Sequence, residues 1–163
     1  MLCKIDNYLR NLYRLSGYVA AVFLILVATF ILVGIASRIF GFYIRGLAEY
    51  SGYCMAASSF LALAYTFGEK GHIRITLFLE KSKKNIRRFL ELWCLFVATF
   101  FSGFLSFYFI KMLLISIKFQ ERSEGADEIL IWIPQVSVAL GSTIFFICVL
   151  HNFILLILKK NNN

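Results

Sequence analysis

The sequence predicts an all-α membrane protein: a single domain over residues 1–163 with four transmembrane helices, both termini cytoplasmic, and an amphipathic interfacial segment between the second and third helices. Three observations carry this. Hydrophobic residues make up 60% of the chain and charged residues 16%, with one proline, against about 45–50% apolar and about 25% charged in a soluble domain. Four stretches free of Asp, Glu, Lys and Arg approach or exceed the roughly 20 residues that cross a bilayer core. Finally, residues 70–88, KGHIRITLFLEKSKKNIRR, gather seven of the seventeen Lys and Arg between the second and third of these stretches.

The first span is residues 15–37. Between Arg14 and Arg38 lie 23 uncharged residues, about 35 Å of helix, which exceeds the hydrocarbon thickness. A basic start followed by an apolar run also describes a signal peptide. This run is longer than an h-region of about 7–15 residues and no A-x-A-like cleavage site follows it, so a retained span is expected. The turn after it, RIFGFYIR, places Phe40, Phe42 and Tyr43 around Gly41, rings that settle at the headgroup boundary.

The second span is residues 48–67. Ala48, Gly52 and Ala56 recur at every fourth position, and small side chains at this spacing let another helix backbone come close, which is how helices associate in lipid. The third span, residues 90–113, is rich in phenylalanine. Phe96, Phe100, Phe101, Phe104, Phe107 and Phe109 project in several directions at 100° per residue, so some face lipid or another subunit. Phe100 and Phe104, with the small-residue face of the second span, are assigned to packing against a partner.

The loop KFQERSEGADE, residues 118–128, is the acidic one, with Glu121, Glu124, Asp127 and Glu128 against Lys118 and Arg122. The fourth span, residues 134–158, starts near Pro134, tolerated in a first helical turn because its missing N–H has no partner there. Trp132 is an interfacial anchor just before it, and Lys159 and Lys160 close the helix.

Orientation follows from Lys and Arg. The N-terminal tail, the central basic stretch and the C-terminal tail together carry twelve, and the two other connections carry five, which puts both termini and the central stretch on the cytoplasmic side. That stretch has a second property. With Ile75 at zero on a helical projection, Phe78, Leu79, Ile86, Phe89 and Leu90 fall within about 60° of it, while Arg74, Glu80, Lys81, Lys83, Lys84, Arg87 and Arg88 fall outside. Such a helix, broken near residues 82–85, lies on the membrane surface with its basic face toward anionic headgroups.

Little in the sequence suggests chemistry. The net charge of +8 sits in short clusters between apolar runs, not along a face, which argues for anionic lipid and against nucleic acid. Cys3, Cys54, Cys94 and Cys148 are widely separated and indicate neither a disulfide framework nor a metal site. Glu49, Glu91, Lys111 and His151 are the ionisable residues within or beside spans, and all fall within about two turns of an interface, where a charged end reaches water. Glu49 is within plausible reach of Arg38, Arg45 or Lys111. His72 and His151 are the only histidines and do not form the layered pair that a haem requires. No nucleotide-binding, zinc-hydrolase or nucleophile-elbow motif appears, so neither an enzyme nor a cofactor is expected. Internal repeats and helices broken at mid-membrane, common in self-sufficient secondary transporters, are also missing. Four spans without a midplane charge suggest a subunit that serves a partner.

Two stretches carry a family resemblance. EYSGYCMAASSFLALAYTFGEKGHIRI, residues 49–75, resembles the second helix and following Gly-His-Ile segment, here Gly71, His72 and Ile73, of the small membrane subunit of tripartite ATP-independent periplasmic (TRAP) transporters, the DctQ-like family. ERSEGADEILIWIPQVSVALG, residues 121–141, resembles that family's outer loop and the Trp-Ile-Pro start of its last helix, here Trp132 to Pro134. Each motif is weak alone, but their order and spacing are specific, and the match of length, span number and basic central loop extends over nearly the whole chain. One departure is Thr76 after Ile75, where the family often has an acid.

The resemblance implies a multi-pass protein of the bacterial inner membrane. Its partners would be a large TRAP membrane subunit and a periplasmic substrate-binding protein, in sodium-coupled uptake of an organic acid. It also implies that substrate and ion sites belong to the large subunit. Glu121 and Glu124 then become candidates for docking the binding protein. An accessory or assembly protein of an unrelated membrane complex, and a small redox membrane protein, are the other readings open to the same four spans.

Overall fold

The apolar runs fold into four helices, α1 (Leu2–Ile39), α2 (Leu47–Lys70), α3 (Lys84–Phe119) and α4 (Trp132–Lys160). The computed structural model describes residues 2–70, 84–123, 125 and 128–160, with side chains at 8–68, 89–123, 125 and 128–157. Among the described residues, extended pairing amounts to one antiparallel bridge, Arg122 to Leu130. The proposed interfacial segment falls mostly in residues 71–83, outside the described residues.

The helices overrun the expected spans. α1 begins at Leu2 instead of 15, and α3 runs 84–119 instead of 90–113. Charged residues mark where hydrocarbon ends, whereas a helix ends only where its backbone ladder is interrupted, and nothing in LCKIDNYLRNLYR interrupts it. The interruption comes at Gly41, whose φ of 75° is the left-handed conformation that closes a helix. There Phe42 N–H donates to Ser37 O at 3.0 Å and Gly41 N–H to Arg38 O at 3.3 Å, satisfying two of the terminal carbonyls.

Among the described residues, three helices are long and apolar enough to cross a membrane: α1, α3 and α4. α2, at 24 residues, has the length but carries many small and hydroxyl side chains, Ser51, Gly52, Ser58, Ser59 and Gly68 among them. The packing order explains this composition. The helices lie in the sequence α1, α2, α4, α3, each packed mainly on its neighbours in that row, so α2 has a helix on two sides and needs thin faces more than it needs greasy ones.

The buried residues are correspondingly small. On α2, Ala57, Leu61 and Ala64 are buried at intervals of four and three; Tyr13 and Ala20 of α1 and Ala139, Cys148 and Val149 of α4 are buried as well, with Cys148 Sγ 3.5 Å from Ala64 O. Gly141 lies so near α2 that a Cβ on it would stand 2.7 Å from the carbonyl carbon of Phe60, and this absence of a side chain sets the α2–α4 spacing. Several buried serines are satisfied within their own helix: Ser16 Oγ donates to Tyr13 O at 2.8 Å and Ser142 Oγ to Ala139 O at 3.0 Å. Such bonds let a small polar residue lie between helices without an orphaned group. Ser106 and Thr143 hydroxyls meet at 3.1 Å across α3 and α4, and Phe60 and Phe109 rings stack edge-on at 5.2 Å.

α1 and α3, at the two flanks of the row, keep most of their apolar surface exposed. Leu24, Ile25 and Leu32 on α1 and Phe100, Phe101, Phe104 and Phe107 on α3 are all more than half exposed. A soluble protein would bury such a surface; in a bilayer it meets lipid or another helix.

Candidate functional site

At the end of the row where α1 joins α2 and α3 joins α4, the polar residues assemble. The C-terminus of α3 starts the arrangement. Gln120 adopts a φ of 50°, the position usually given to glycine, and its Nε2 donates to Ile117 O at 3.2 Å. The chain reverses there, Glu121 N–H reaching back to Ser116 O at 3.3 Å. Ser116 Oγ in turn donates to the Glu121 carboxylate at 2.9 Å.

A short hairpin follows. Ser123 N–H donates to Ile129 O at 2.7 Å and Ile131 N–H to Glu121 O at 3.0 Å. Arg122 and Glu128 form an exposed ion pair at 3.4 Å, a contact of little energetic weight in water. Within the turn, Glu128 N–H donates to Gly125 O and Gly125 N–H to Ser123 Oγ, both at 3.3 Å, and further contacts come from α2.

Glu49 and Tyr53 are one turn apart and therefore project from the same side of α2. Tyr53 Oη and Ser123 Oγ lie 2.9 Å apart. The Glu49 carboxylate occupies the space into which any Cβ on Gly125 would project, so the hairpin can approach α2 only because residue 125 has no side chain. Glu49 sits in the first turn of α2, where the helix dipole favours a negative charge. That position accounts for a carboxylate at the head of an apolar helix. Beside it, a cleft of about 350 Å³ opens between α1 and α2, lined in part by Arg38, Tyr43, Ala48 and Glu49.

The other residues singled out from sequence are distributed as follows. Ala48 and Gly52 are exposed and Ala56 is half-buried, and a Cβ on Gly52 would meet nothing within 4 Å. The small-residue set that the chain uses for its own packing is a different one, Ala57, Ala64 and Gly68. Phe100 and Phe104 are exposed at 65% and 55%, with Phe104 against Tyr108 of the same helix at 4.5 Å between ring centres. α4 begins at Trp132, half-buried, with Pro134 in its first turn, and Ser137 Oγ donates to Pro134 O at 3.1 Å. Glu121 is exposed and already engaged by Ser116.

Gly71, His72, Ile73, Arg74, Lys81, Lys83 and Glu124 lie outside the described residues, as do the side chains of Lys84, Arg87 and Arg88. Sequence reasoning missed Tyr53, Ser116, Ser123 and Gly125. Tyr53 was accessible in principle, since it lies one turn below Glu49; the two serines and the glycine of the loop acquire their roles only through contacts made across the fold.

Chemically the assembly offers a polar lip. Among the described residues, no group of three His, Cys, Asp or Glu is placed to hold a metal ion, and the lip presents hydrogen-bonding and charged groups of both signs instead of a nucleophile with its base. Searches among curated proteins and among solved structures returned no match. The family model described as "Tripartite ATP-independent periplasmic transporters, DctQ component" matches residues 27–159, which includes the lip and leaves out about the first two thirds of α1. The chain therefore belongs to the DctQ family, as a multi-pass membrane protein and small component of a TRAP transporter.

Proposed function

We propose that this chain is the scaffolding small subunit of a sodium-coupled, binding-protein-dependent organic acid transporter, and that it anchors and levels the large membrane subunit. The observation that carries the reading is the open row of helices. α1 and α3 flank it with exposed apolar faces, and the family is that of a component of tripartite transporters. α2 crosses the membrane with the other three helices, shielded by α1 and α4, and both termini lie in the cytoplasm by the distribution of Lys and Arg. The face of Ala48, Gly52 and Ala56 and the rings of Phe100 and Phe104 pack against the large subunit. The basic residues Arg74, Lys81, Lys83, Lys84, Arg87 and Arg88 hold the cytoplasmic surface to anionic lipid.

The polar lip then faces the periplasm and contributes to docking the substrate-binding protein, with Glu121 and Glu124 supplying negative charge. Uptake measurements in membrane vesicles with an imposed sodium gradient test the reading. The chain alone is expected to transport no organic acid, and co-expression with its large subunit and binding protein to restore uptake. Sodium-driven uptake by the isolated chain would overturn the subunit role.

A further inference from the structure

At the opposite end of the row from the polar lip, α1, α2 and α4 enclose a cleft of about 300 Å³ lined by Arg10, Tyr13, Arg14, Gly68, His151 and Asn152. Arg10 and Arg14 are one turn apart on α1 and share a face; His151 and Asn152 come from α4. The framework around them is set. Tyr13 is buried and packs on Gly68, and Asn152 Nδ2 donates to Cys148 O at 2.8 Å. Arg14 is also where the 23-residue uncharged run of α1 begins, so the cleft sits at the depth where hydrocarbon gives way to headgroups.

A second space of about 360 Å³ lies between α1 and α4 and is lined almost wholly by apolar residues, including Leu15, Val19, Leu140 and Ile144, with Leu61 of α2. The two spaces adjoin. Leu12, Leu15 and Ser16 of the groove alternate with Tyr13 and Arg14 of the cleft along α1. On α4, Leu140 and Ile144 of the groove and His151 and Leu155 of the cleft follow at spacings of 4, 7 and 4, one helical face.

A cationic, hydrogen-bonding head beside an apolar trough matches the polarity of a single anionic glycerophospholipid. A soluble anion would use only the cleft, and an apolar partner helix only the groove. We propose that the α1–α4 crevice binds one such lipid. Its phosphodiester lies among Arg10, Arg14, His151 and Asn152, and an acyl chain runs along Leu15, Val19, Leu140 and Ile144. The site is separate from the basic stretch 70–88, and it would pin α1, whose apolar side chains are largely exposed, to a defined depth.

Native mass spectrometry of the full chain released from detergent tests this, with phosphatidylglycerol and phosphatidylcholine of identical acyl chains as probes. The wild-type chain is expected to retain phosphatidylglycerol about 25-fold more than phosphatidylcholine, since each of the two arginine contacts contributes roughly a factor of five. R10Q/R14Q is expected to abolish this preference although all basic residues of 70–88 remain. L140W, which fills the groove, is expected to reduce retention of both lipids with the two arginines intact. Inorganic phosphate at matched concentration is expected not to compete. Equal retention of the two lipids by wild type, an undiminished preference in R10Q/R14Q, or displacement by inorganic phosphate overturns the proposal. If R10Q/R14Q does not fold, unchanged phosphatidylglycerol retention by L140W overturns it independently. None of these results depends on transport activity.

Discussion

Tyr53 on α2 and Ser123 in the α3–α4 hairpin, 70 positions apart in the chain, hold their hydroxyl oxygens 2.9 Å from each other. With the seating of Gly125 on Glu49, this bond turns a polar connection into a fixed lip.

Tyr53→Phe keeps the ring and removes only the hydroxyl, so the hairpin is expected to loosen by about 1 kcal/mol, the usual net worth of one hydrogen bond. Hydrogen exchange of the purified chain reads this directly: the amides of Ser123 and Ile131 exchange about fivefold faster while those in the helices are unchanged. Ser123→Ala, which also removes the acceptor for Gly125 N–H at 3.3 Å, gives at least this acceleration, and the double variant adds little to Ser123→Ala alone.

Gly125→Ala is expected to be more damaging than its size suggests, because the new methyl group meets the Glu49 carboxylate. The measurement is hydrogen exchange at the same amides, and Glu49→Ala in the Gly125→Ala background relieves the clash and restores part of the protection. If Gly125→Ala is neutral, Glu49 does not set the approach of the hairpin.

Two glycines of the helices separate internal packing from partner packing. Gly141→Leu drives a side chain into the backbone of Phe60 and Leu61, and is expected to destabilise the purified chain by about 1–3 kcal/mol or more as the α2–α4 crossing is forced apart. Gly52→Leu projects into open space and should leave the thermal midpoint of the isolated chain unchanged. In the assembled transporter, Gly52→Leu is expected to lower recovery of the small subunit with a tagged large subunit. Normal recovery would remove the Ala48–Gly52–Ala56 face from the interface.

Gln120 has a left-handed φ without being glycine. Gln120→Gly is expected to be tolerated or to stabilise slightly, whereas Gln120→Val is expected to cost about 1–2 kcal/mol, the strain of a β-branched residue in that conformation. Thermal unfolding of the two variants side by side measures the difference.

Charge reversal at Glu121 should weaken capture of the cognate binding protein in a salt-sensitive manner. It also removes the bond from Ser116, so Glu121→Gln, which keeps an acceptor for that bond, is the control: it loses the charge and leaves the hairpin in place. Equal binding by wild type and both variants at low salt would exclude Glu121 from docking.

Much of this protein was readable from its residues because a bilayer imposes few solutions. Uncharged runs of helical length, a single proline at a helix start and a basic stretch between the second and third apolar runs specify an all-helical membrane protein, and the Gly-His-Ile and Trp-Ile-Pro signatures placed it in its family. Helix ends were less legible, because charge marks the edge of hydrocarbon while hydrogen bonding continues beyond it, as α1 does to Leu2. The tertiary structure alone decided the order of the row and which small residues hold it together. Ala48, Gly52 and Ala56 have the same spacing as a packing face, but Ala57, Leu61 and Ala64 are the ones buried, since spacing defines a face and only the position of the neighbouring helix decides which face is covered. The tertiary structure likewise made the polar lip. Tyr53, Ser123 and Gly125 are unremarkable where they stand in sequence, and with Glu49, which the sequence does single out, they form one surface because two helical hairpins bring their turns to the same end of the fold.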